Sequence, residues 1–197
     1  LKNVKKVLYF HNNPLEMKGS STINERLFLI SNLDKIIFNS NWTKDQFLNN
    51  LPAIYKKIEK LIVIYQSTKK NKIDFKKKEK VITFVGKLNT AKGYDLFGKA
   101  CIKILKEFRD WRVEIVGDEA REKINFNHPR FNLNGFQSHS YVQNLYKKTS
   151  IAVICSRWEE PFGRTSLEAA SNGCAIIISN KGGLPETTND ALILRDL

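Results

Sequence analysis

The sequence predicts an α/β fold whose parallel strands are covered by helices on both faces. Apolar stretches alternate along the chain with stretches of helical periodicity, as in repeated strand–helix–strand units. The candidate strands, for example residues 81–85 and 151–155, are apolar throughout instead of alternating with polar residues. Continuous apolar strands are typical of parallel sheets that are buried on both faces. Hydrophobic residues make up 42% of the sequence, which is enough to form such a core.

The first third of the chain contains the first set of these units. Residues 4–10 form the first predicted strand, and residues 23–33 have the periodicity of a helix. Ser40 or Asn41 can cap a further helix over residues 42–50, because short polar side chains accept hydrogen bonds from the first turn. We predict two more strands in this part of the chain, at residues 35–38 and 61–65.

The pattern restarts after the polar, lysine-rich residues 66–80, where we place a domain boundary between residues 72 and 73. Asn172 and Gly173 are expected to end the last helix, because both residue types tolerate the left-handed conformation found at helix C-termini. We predict helices at residues 94–108, at residues 141–148 and around Glu168. We predict strands at residues 81–85, 112–116, 131–133, 151–155 and 175–178.

The net charge is +13, from 33 basic and 20 acidic residues, which raises the question of an anionic partner. Residues 56–80 contain ten lysines against three acidic residues, with no arginine and two aromatic residues. Surfaces that recognise nucleic acid favour arginine and stacking rings. We therefore expect no nucleic-acid partner and interpret this window as a solvated face and linker. Contact with an anionic membrane surface stays open as an alternative.

The three cysteines indicate a reducing compartment. Cys101, Cys155 and Cys174 are odd in number, lack a Cys-x-x-Cys pair and lie in apolar contexts, so we expect them to be reduced core residues. No apolar run approaches the roughly 18 residues of a membrane span, and the sequence does not open on a leader peptide. We predict a cytoplasmic protein, peripheral at the inner face of the membrane if the lysine window contacts lipid.

Residues 156–173 combine features that suit a ligand made of a sugar, a diphosphate and a nucleoside. A helix N-terminus near Gly163 would offer N–H groups and a positive dipole end to phosphates, and the missing Cβ allows close approach. A carboxylate can accept hydrogen bonds from two neighbouring hydroxyls, so Glu160 suits a sugar and Glu168 a ribose. The alternative is that Glu160 is a solvated loop charge and that Glu168 lies on an exposed helix face.

This segment resembles the donor-binding signature of the retaining glycosyltransferases of family 4, the group 1 glycosyl transferases. Glu160 and Glu168 are separated by seven residues, Phe162-Gly163 follows the first, and a helix of small residues ending in Gly173 follows the second. The resemblance implies the GT-B fold, in which two Rossmann-like domains face each other across a cleft. Residues 73–197 would be the C-terminal, donor-binding domain, truncated at its end. Residues 1–72 would be the later part of the N-terminal, acceptor-side domain.

The resemblance extends to a loop with two lysines. Gly86-Lys87 and Lys92-Gly93 resemble the family's Gly-Arg and Lys-Gly pairs, whose basic residues clamp the donor diphosphate together with the Phe-Gly turn. Lys87 stands where arginine is usual. A lysine keeps the positive charge but lacks the planar guanidinium that can bind a phosphate through two parallel hydrogen bonds. The alternative is that Lys87 and Lys92 are two more lysines among many.

Further residues have weaker resemblances. Gly135-Phe136 resembles the loop that contacts the nucleotide base; the alternative is an ordinary turn glycine, and the two interpretations are not exclusive. His11 follows the first predicted strand, and its family counterpart lies near the donor sugar. The resemblance thus makes His11 and Glu160 the candidate catalytic residues, with a structural role as the alternative for His11. We expect His128 and His139 to be surface loop residues without partners. We expect Trp158 to be a packing residue, with stacking on the nucleotide base as the alternative.

The resemblance implies a hexosyltransferase that moves a sugar, with retention, from a nucleotide donor to a sugar or lipid-linked acceptor. It also implies that no metal or other cofactor takes part, and the sequence contains no Asp-x-Asp and no metal-ligand spacing. Surface glycan or lipopolysaccharide synthesis follows by family association alone. The fragment itself, lacking both ends of such an enzyme, is expected to be weakly active or inactive. Two other functions stay open: a sugar-nucleotide epimerase of the same fold, and a non-catalytic basic binding module.

Overall fold

The computed structural model describes residues 4–196, which form two compact units. The first unit consists of the chain up to Gln66 together with Glu160–Phe162, and the second contains Ser67–Glu159 and the chain from Gly163 onward. Both units contain parallel sheets with helices between the strands, so the predicted α/β class is confirmed. The boundary suggested by the sequence lies a few residues after Gln66.

The first unit is built on a three-stranded parallel sheet with the order β1-β2-β3. Thr22 and Glu25 form a capping box at the start of α1, and Ser40 caps α2 by accepting a hydrogen bond from the Thr43 N–H. Phe10, Phe38 and Phe47 pack their rings together in the core. The elements are β1 (Val7–Phe10), α1 (Ile23–Asn32), β2 (Lys35–Phe38), α2 (Asn41–Leu48) and β3 (Leu61–Val63).

The second unit is built on a six-stranded parallel sheet with the order β6-β5-β4-β7-β8-β9. The chain begins in the middle at β4, builds outward to β6, and then returns to the other side of β4 with β7. Because the strands are parallel, the loops after them lie along one edge of the sheet. The strands are β4 (Glu79–Val85), β5 (Arg112–Val116), β6 (Phe131–Leu133), β7 (Thr149–Ile154), β8 (Ala175–Ser179) and β9 (Leu192–Leu194). The helices are α3 (Tyr94–Glu107), α4 (His139–Lys148) and α5 (Arg164–Ser171).

The helices of the second unit cover the sheet with separate apolar clusters. The cluster under α3 contains Phe84, Phe97, Cys101, Leu105 and Ile115. Helices α4 and α5 contact each other and pack on β7, and their cluster also takes in residues of β7 and β8. Both helices are therefore held on the central strands of the sheet, with their N-termini at the edge where the strands end.

Lys78 joins the C-terminal ends of α4 and α5. Its ammonium donates hydrogen bonds to the carbonyl oxygens of Tyr146 at 2.9 Å, Thr149 at 2.7 Å and Asn172 at 2.7 Å. The last carbonyls of a helix have no partner within the helix, so a lysine placed there satisfies groups that would otherwise need water. Lys78 thereby fixes the spacing of the two helices at the end opposite to their N-termini.

Some element boundaries differ from the sequence-based expectation. The first strand pairs only from Val7, where its register with β2 begins. Helix α4 begins at His139 because the Ser138 hydroxyl accepts a hydrogen bond from the Tyr141 N–H at 3.3 Å. Strand β9, which pairs with β8, was not predicted.

The cysteines are free and buried, as predicted. Burial raises the pKa of the Cys101 thiol to about 12, and the pKa values of Cys155 and Cys174 to about 11. These thiols are therefore protonated core groups at neutral pH. Within residues 4–196, no helix has the length and apolar composition needed to cross a membrane.

Candidate functional site

The loops that follow β4 and β7 meet at the carboxyl edge of the second unit's sheet. The Ala91 carbonyl accepts hydrogen bonds from the Arg157 N–H at 2.8 Å and from the Trp158 N–H at 3.1 Å. Gly93 approaches the other loop so closely that a Cβ there would lie 1.9 Å from the Cys155 carbonyl oxygen. The strand order reverses between β4 and β7, which is the place where open parallel sheets bind ligands.

The two predicted phosphate-binding lysines lie in the loop after β4. The Lys87 side chain is exposed, and the Lys92 ammonium lies 4.3 Å from the ring centroid of Trp158. A cation at this distance is attracted by the face of the indole. Trp158, expected to be a packing residue, is thus more than a third exposed and holds a lysine at the edge of the sheet.

Arg157 ties the loop after β7 to the beginning of α3. Its guanidinium makes a bidentate pair with Asp95, at 2.6 and 2.9 Å, and donates a further hydrogen bond to the Thr90 carbonyl at 2.6 Å. Hydrogen bonding from Arg157 lowers the pKa of the Asp95 carboxyl, against the opposing effect of burial. Arg157 therefore fixes the shape of the lysine loop.

We expect Arg157→Met to lower the free energy of unfolding at pH 7 by about 1 kcal/mol, or roughly 2–4 °C in Tm. Because the folded-state pKa of Asp95 is lowered, its stabilising contribution is present above the unfolded value of about 3.9 and is lost as the pH falls through the folded value. Thermal unfolding between pH 7 and pH 2.5 should show the difference between variant and wild type shrinking at acid pH. Arg109→Met removes the same charge from an exposed site and is the control. A difference that does not change with pH contradicts this account.

Gly163 immediately precedes α5 as its N-cap and is required there by packing as well as by backbone conformation. Its φ is +105°, and a Cβ would lie 2.3 Å from Leu184 Cδ2 in the loop after β8. The Ser166 and Thr187 hydroxyls form a buried hydrogen bond at 2.8 Å between the same two segments. The N-terminus of α5 is therefore fixed at the carboxyl edge, where its N–H groups can meet an anion.

Glu168 is buried, with 6% of its surface exposed, so the alternative of an exposed helix face is wrong. Its Oε1 lies 3.1 Å from Arg164 Nη2 and 3.4 Å from His139 Nε2. The expectation that His139 is a loop residue without a partner is also wrong, because the residue opens α4 and its ring faces α5. His128 does lie in a loop, but it has a partner, since its Nδ1 accepts a hydrogen bond from the Arg130 N–H at 3.2 Å. A buried carboxylate thus lies one turn inside the helix that Gly163 caps.

The predicted base-side loop follows β6. Gly135 has φ of +64° with open space where a Cβ would stand, and its carbonyl accepts a hydrogen bond from the Gly117 N–H at 2.9 Å. Phe136 is 79% exposed, which is unusual for a large apolar ring. The loop thus presents an aromatic face and a turn at the same edge of the sheet as the lysines.

His11, Glu160 and Phe162 belong to the first unit. His11 is exposed beyond the end of β1, with Nδ1 3.0 Å from the Gln66 amide nitrogen. Glu160 is half-buried, and the next residue's carbonyl accepts hydrogen bonds from Ser40 Oγ and Thr43 Oγ1. The Phe162 ring is buried and stacks on Tyr65, with ring centroids 5.9 Å apart, so a ligand could contact only its backbone.

The structure therefore brings together the predicted residues of the second unit. Five of them lie in loops along one sheet edge, Lys87, Lys92, Gly135, Phe136 and Gly163, and Glu168 lies in the helix that begins at this edge. Arg164 and His139 were missed. The four-residue spacing of Arg164 and Glu168 on a predicted helix was an available signal for the first. Nothing local in the sequence connects His139 with Glu168, since their contact depends on the packing of α4 against α5.

The sequence profile of the family described as "Glycosyl transferases group 1" matches residues 65–193, most of the chain. The chain belongs to this family. This group 1 chain is 29% identical over 125 residues to spore coat protein SA of Bacillus subtilis (strain 168). The aligned region covers 57% of the chain and 33% of that protein. It is 33% identical over 115 residues to the uncharacterized glycosyltransferase MJ1607 of Methanocaldococcus jannaschii, covering 55% of the chain and 29% of that protein. The chain thus spans about a third of the length of these curated relatives.

Solved structures of GT-B glycosyltransferases share the fold of this group 1 chain. Anabaena Alr3699/HepE in complex with UDP-glucose matches with a TM-score of 0.74 at 17% identity, over 96% of the chain and 58% of that protein. A glycosyltransferase from Rickettsia africae ESF-5 matches with a TM-score of 0.71 at 22% identity, over 96% of the chain and 56% of that protein. The predicted GT-B type of parallel sheet is confirmed by these similarities.

Proposed function

We propose that this chain binds a nucleotide-diphosphate sugar and supplies the donor-binding part of a glycosyltransferase. The observation that carries the proposal is the placement of three features along one sheet edge, at the point where strand order reverses. These features are a loop with two lysines, the N-terminus of α5 and the buried carboxylate of Glu168. Membership of the group 1 family supports it, as do the UDP and UDP-glucose bound in the structures of Alr3699/HepE.

Each feature suits one part of the donor. The diphosphate would lie between the N–H groups at the start of α5 and the ammonium groups of Lys87 and Lys92, which would stabilise the leaving group as its charge grows. Glu168 would accept hydrogen bonds from the ribose hydroxyls. The Gly135-Phe136 loop would contact the base.

The finer parts of the proposal rest on the family resemblance. They are retention at the anomeric carbon, transfer of a hexose without a bound metal, and contacts of His11 and Glu160 with the sugar. The acceptor would be a sugar or a lipid-linked glycan in surface polysaccharide or lipopolysaccharide synthesis. The reaction would take place in the cytoplasm, with the lysine-rich residues 56–80 available to an anionic membrane surface.

The test is a thermal-shift titration of the purified chain with UDP, GDP and ADP. A ligand at one hundred times its dissociation constant stabilises the folded state by about 2.7 kcal/mol, which corresponds to a rise of roughly 5–10 °C in Tm. We expect one nucleotide to give such a shift, because the base loop should discriminate among them. Each shift is measured relative to the same protein without ligand.

Glu168→Ala and Glu107→Ala are the matched variants. Both remove a glutamate from a helix of the second unit, but Glu107 is exposed at the end of α3. The shift should be lost in the first variant and kept in the second. A shift that survives Glu168→Ala but disappears in moderate salt would favour a basic binding module instead. No shift with any nucleotide, in a folded sample, would refute the donor site.

A further inference from the structure

The segment before β4 (residues 71–78) packs across the C-terminal ends of α4 and α5. The Asn71 amide donates a hydrogen bond to the side chain at the C-cap of α5 at 3.1 Å. Ile73 lies so close to Gly173 that a Cβ at the glycine would come within 2.7 Å of Ile73 Cγ2. Lys78 closes the segment through its bonds to carbonyl oxygens at both helix ends. This segment is therefore fixed against the helices and is more than a solvated linker.

A cavity of about 240 Å³ lies between this segment and the ends of the two helices. Three lysines, Lys72, Lys77 and Lys147, and one aspartate, Asp74, give its lining a net charge of +2. The Lys77 ammonium lies 3.8 Å from the Asp74 carboxylate. In the part of the chain that the structure describes, no carboxylate lies within 4 Å of the other two ammonium groups. Ammonium groups are common partners of phosphate oxygens, so this lining suits a phosphate group.

The helix ends beside the cavity would by themselves disfavour an anion, because the C-terminus of a helix carries partial negative charge. Lys78 offsets this charge. Its ammonium is bonded to the carbonyl oxygens of Tyr146, Thr149 and Asn172, and Asn172 also lines the cavity. The carbonyls at this place are thus already paired with a cation, which leaves the lysines of the lining as its dominant charges.

An exposed aromatic ring lies in the same segment. Phe75 is 69% exposed at the start of a short 3₁₀ helix that ends at Lys77, and Ile73 is 38% exposed. The surface of an anionic bilayer offers partners to both kinds of side chain, since phosphates lie in the headgroup layer and acyl chains lie beneath it. A free phosphate would use the lysines alone. The combination therefore favours a lipid as the source of the phosphate.

The cavity lies at the amino edge of the sheet, because the segment precedes β4 and both helices end there. Strand β4 has seven residues, so this edge is about 20 Å from the carboxyl edge. A bilayer at the amino edge would therefore leave uncovered the loops in which the donor site is proposed.

We propose that this cavity binds the phosphate of an anionic phospholipid, with the lysines around the headgroup and Phe75 at the boundary of the acyl chains. The site includes Lys147, which lies outside the lysine-rich window, and it excludes the lysines of that window in the first unit. It thereby narrows the membrane contact suggested for residues 56–80 to one cavity of the second unit. The inference does not rest on the proposed donor site.

The test measures the partition of the purified chain onto vesicles of phosphatidylcholine, with and without phosphatidylglycerol, by cosedimentation. The wild type should bind only the vesicles that contain phosphatidylglycerol. Two lysines at an anionic surface account for about 30-fold in the partition coefficient, so Lys72→Gln/Lys147→Gln should bind about 30 times more weakly. Phe75→Ser should bind about 10 times more weakly, because the ring no longer enters the bilayer.

Each variant has a matched control in the first unit. Lys56→Gln/Lys57→Gln removes two exposed lysines of the same window, and Phe28→Ser removes an aromatic ring that is 64% exposed. Both controls should bind as the wild type does. All of these side chains are exposed, so thermal unfolding should show the same Tm in the variants and their controls.

Equal losses in the two double variants would show that binding follows net charge, and would overturn the site. A folded wild type that does not bind phosphatidylglycerol vesicles would also overturn it. Calorimetric binding of inorganic phosphate that is lost in Lys72→Gln/Lys147→Gln, without vesicle binding by the wild type, would overturn the lipid in favour of a free anion. The nucleotide-induced shifts are measured without vesicles, so failure of the donor site and failure of this site are separate results.

Discussion

Replacing Gly93 by alanine is expected to lower the free energy of unfolding by about 2–5 kcal/mol. The residue has φ of +75°, which costs an alanine about 1–2 kcal/mol. In addition, the new Cβ would lie 1.9 Å from the Cys155 carbonyl oxygen, so the backbone after β7 would have to move. Steric overlap in a packed region adds about 1–3 kcal/mol. Thermal unfolding should show a fall of roughly 10 °C in Tm, and nucleotide-induced shifts should disappear because the lysine loop is displaced.

Gly135→Ala separates the two parts of this effect. Gly135 has a similar φ of +64°, but nothing lies within 4 Å of the position its Cβ would occupy. We expect this variant to lose only the backbone part, about 1–2 kcal/mol. Equal losses in the two variants would mean that the approach of Gly93 to Cys155 does not govern stability.

Replacing Lys78 by methionine is expected to lower the free energy of unfolding by about 2–3 kcal/mol. Methionine keeps much of the side-chain volume but leaves the carbonyls of Tyr146, Thr149 and Asn172 without their shared donor. Hydrogen bonds to a charged group stabilise by about 1.5–3 kcal/mol each. Burial lowers the pKa of Lys78, and this desolvation of the ammonium offsets part of the gain. The net effect is therefore smaller than the sum of the bonds.

Lys77→Met is the matched control, because its neighbouring ammonium is mostly exposed and lies 3.8 Å from Asp74. Exposed ion pairs of this kind contribute about 0–1 kcal/mol. Urea unfolding monitored by circular dichroism should distinguish the variants by their midpoints. If Lys78→Met matches Lys77→Met, the helix ends are satisfied by water and Lys78 is dispensable.

Much of the secondary structure of the second unit could be predicted because its apolar runs and its turn residues indicate the same strand and helix boundaries. Strands β5 and β6 have the predicted bounds, since each is a short apolar or β-favouring run between turn residues. The predicted start of α4, at residue 141, is two residues too late because the prediction leaves out the Ser138 cap. Strand β9 is three residues long, and its apolar run carried no periodicity that distinguishes a strand from a loop.

The site was only partly predictable for a different reason. The lysine loop, Gly163 and Glu168 are adjacent to recognisable strand ends, so their positions follow from the fold. The burial of Glu168 and its contact with His139 depend on how α4 packs against α5, which no local pattern specifies. The need for Gly163 to avoid Leu184 likewise depends on a contact between distant parts of the chain.

The central position of β4 has a consequence for the order in which the second unit folds. Its pairing with β5 joins neighbouring segments of the chain, whereas Ile82 meets Ile151 only after α3, β5, β6 and α4 have been made. Closing such a long loop is entropically expensive, and pairings of this kind slow folding. The crevice between β4 and β7 is thus completed late. During synthesis, the lysine loop after β4 is therefore made well before the loop after β7, against which it packs in the folded unit.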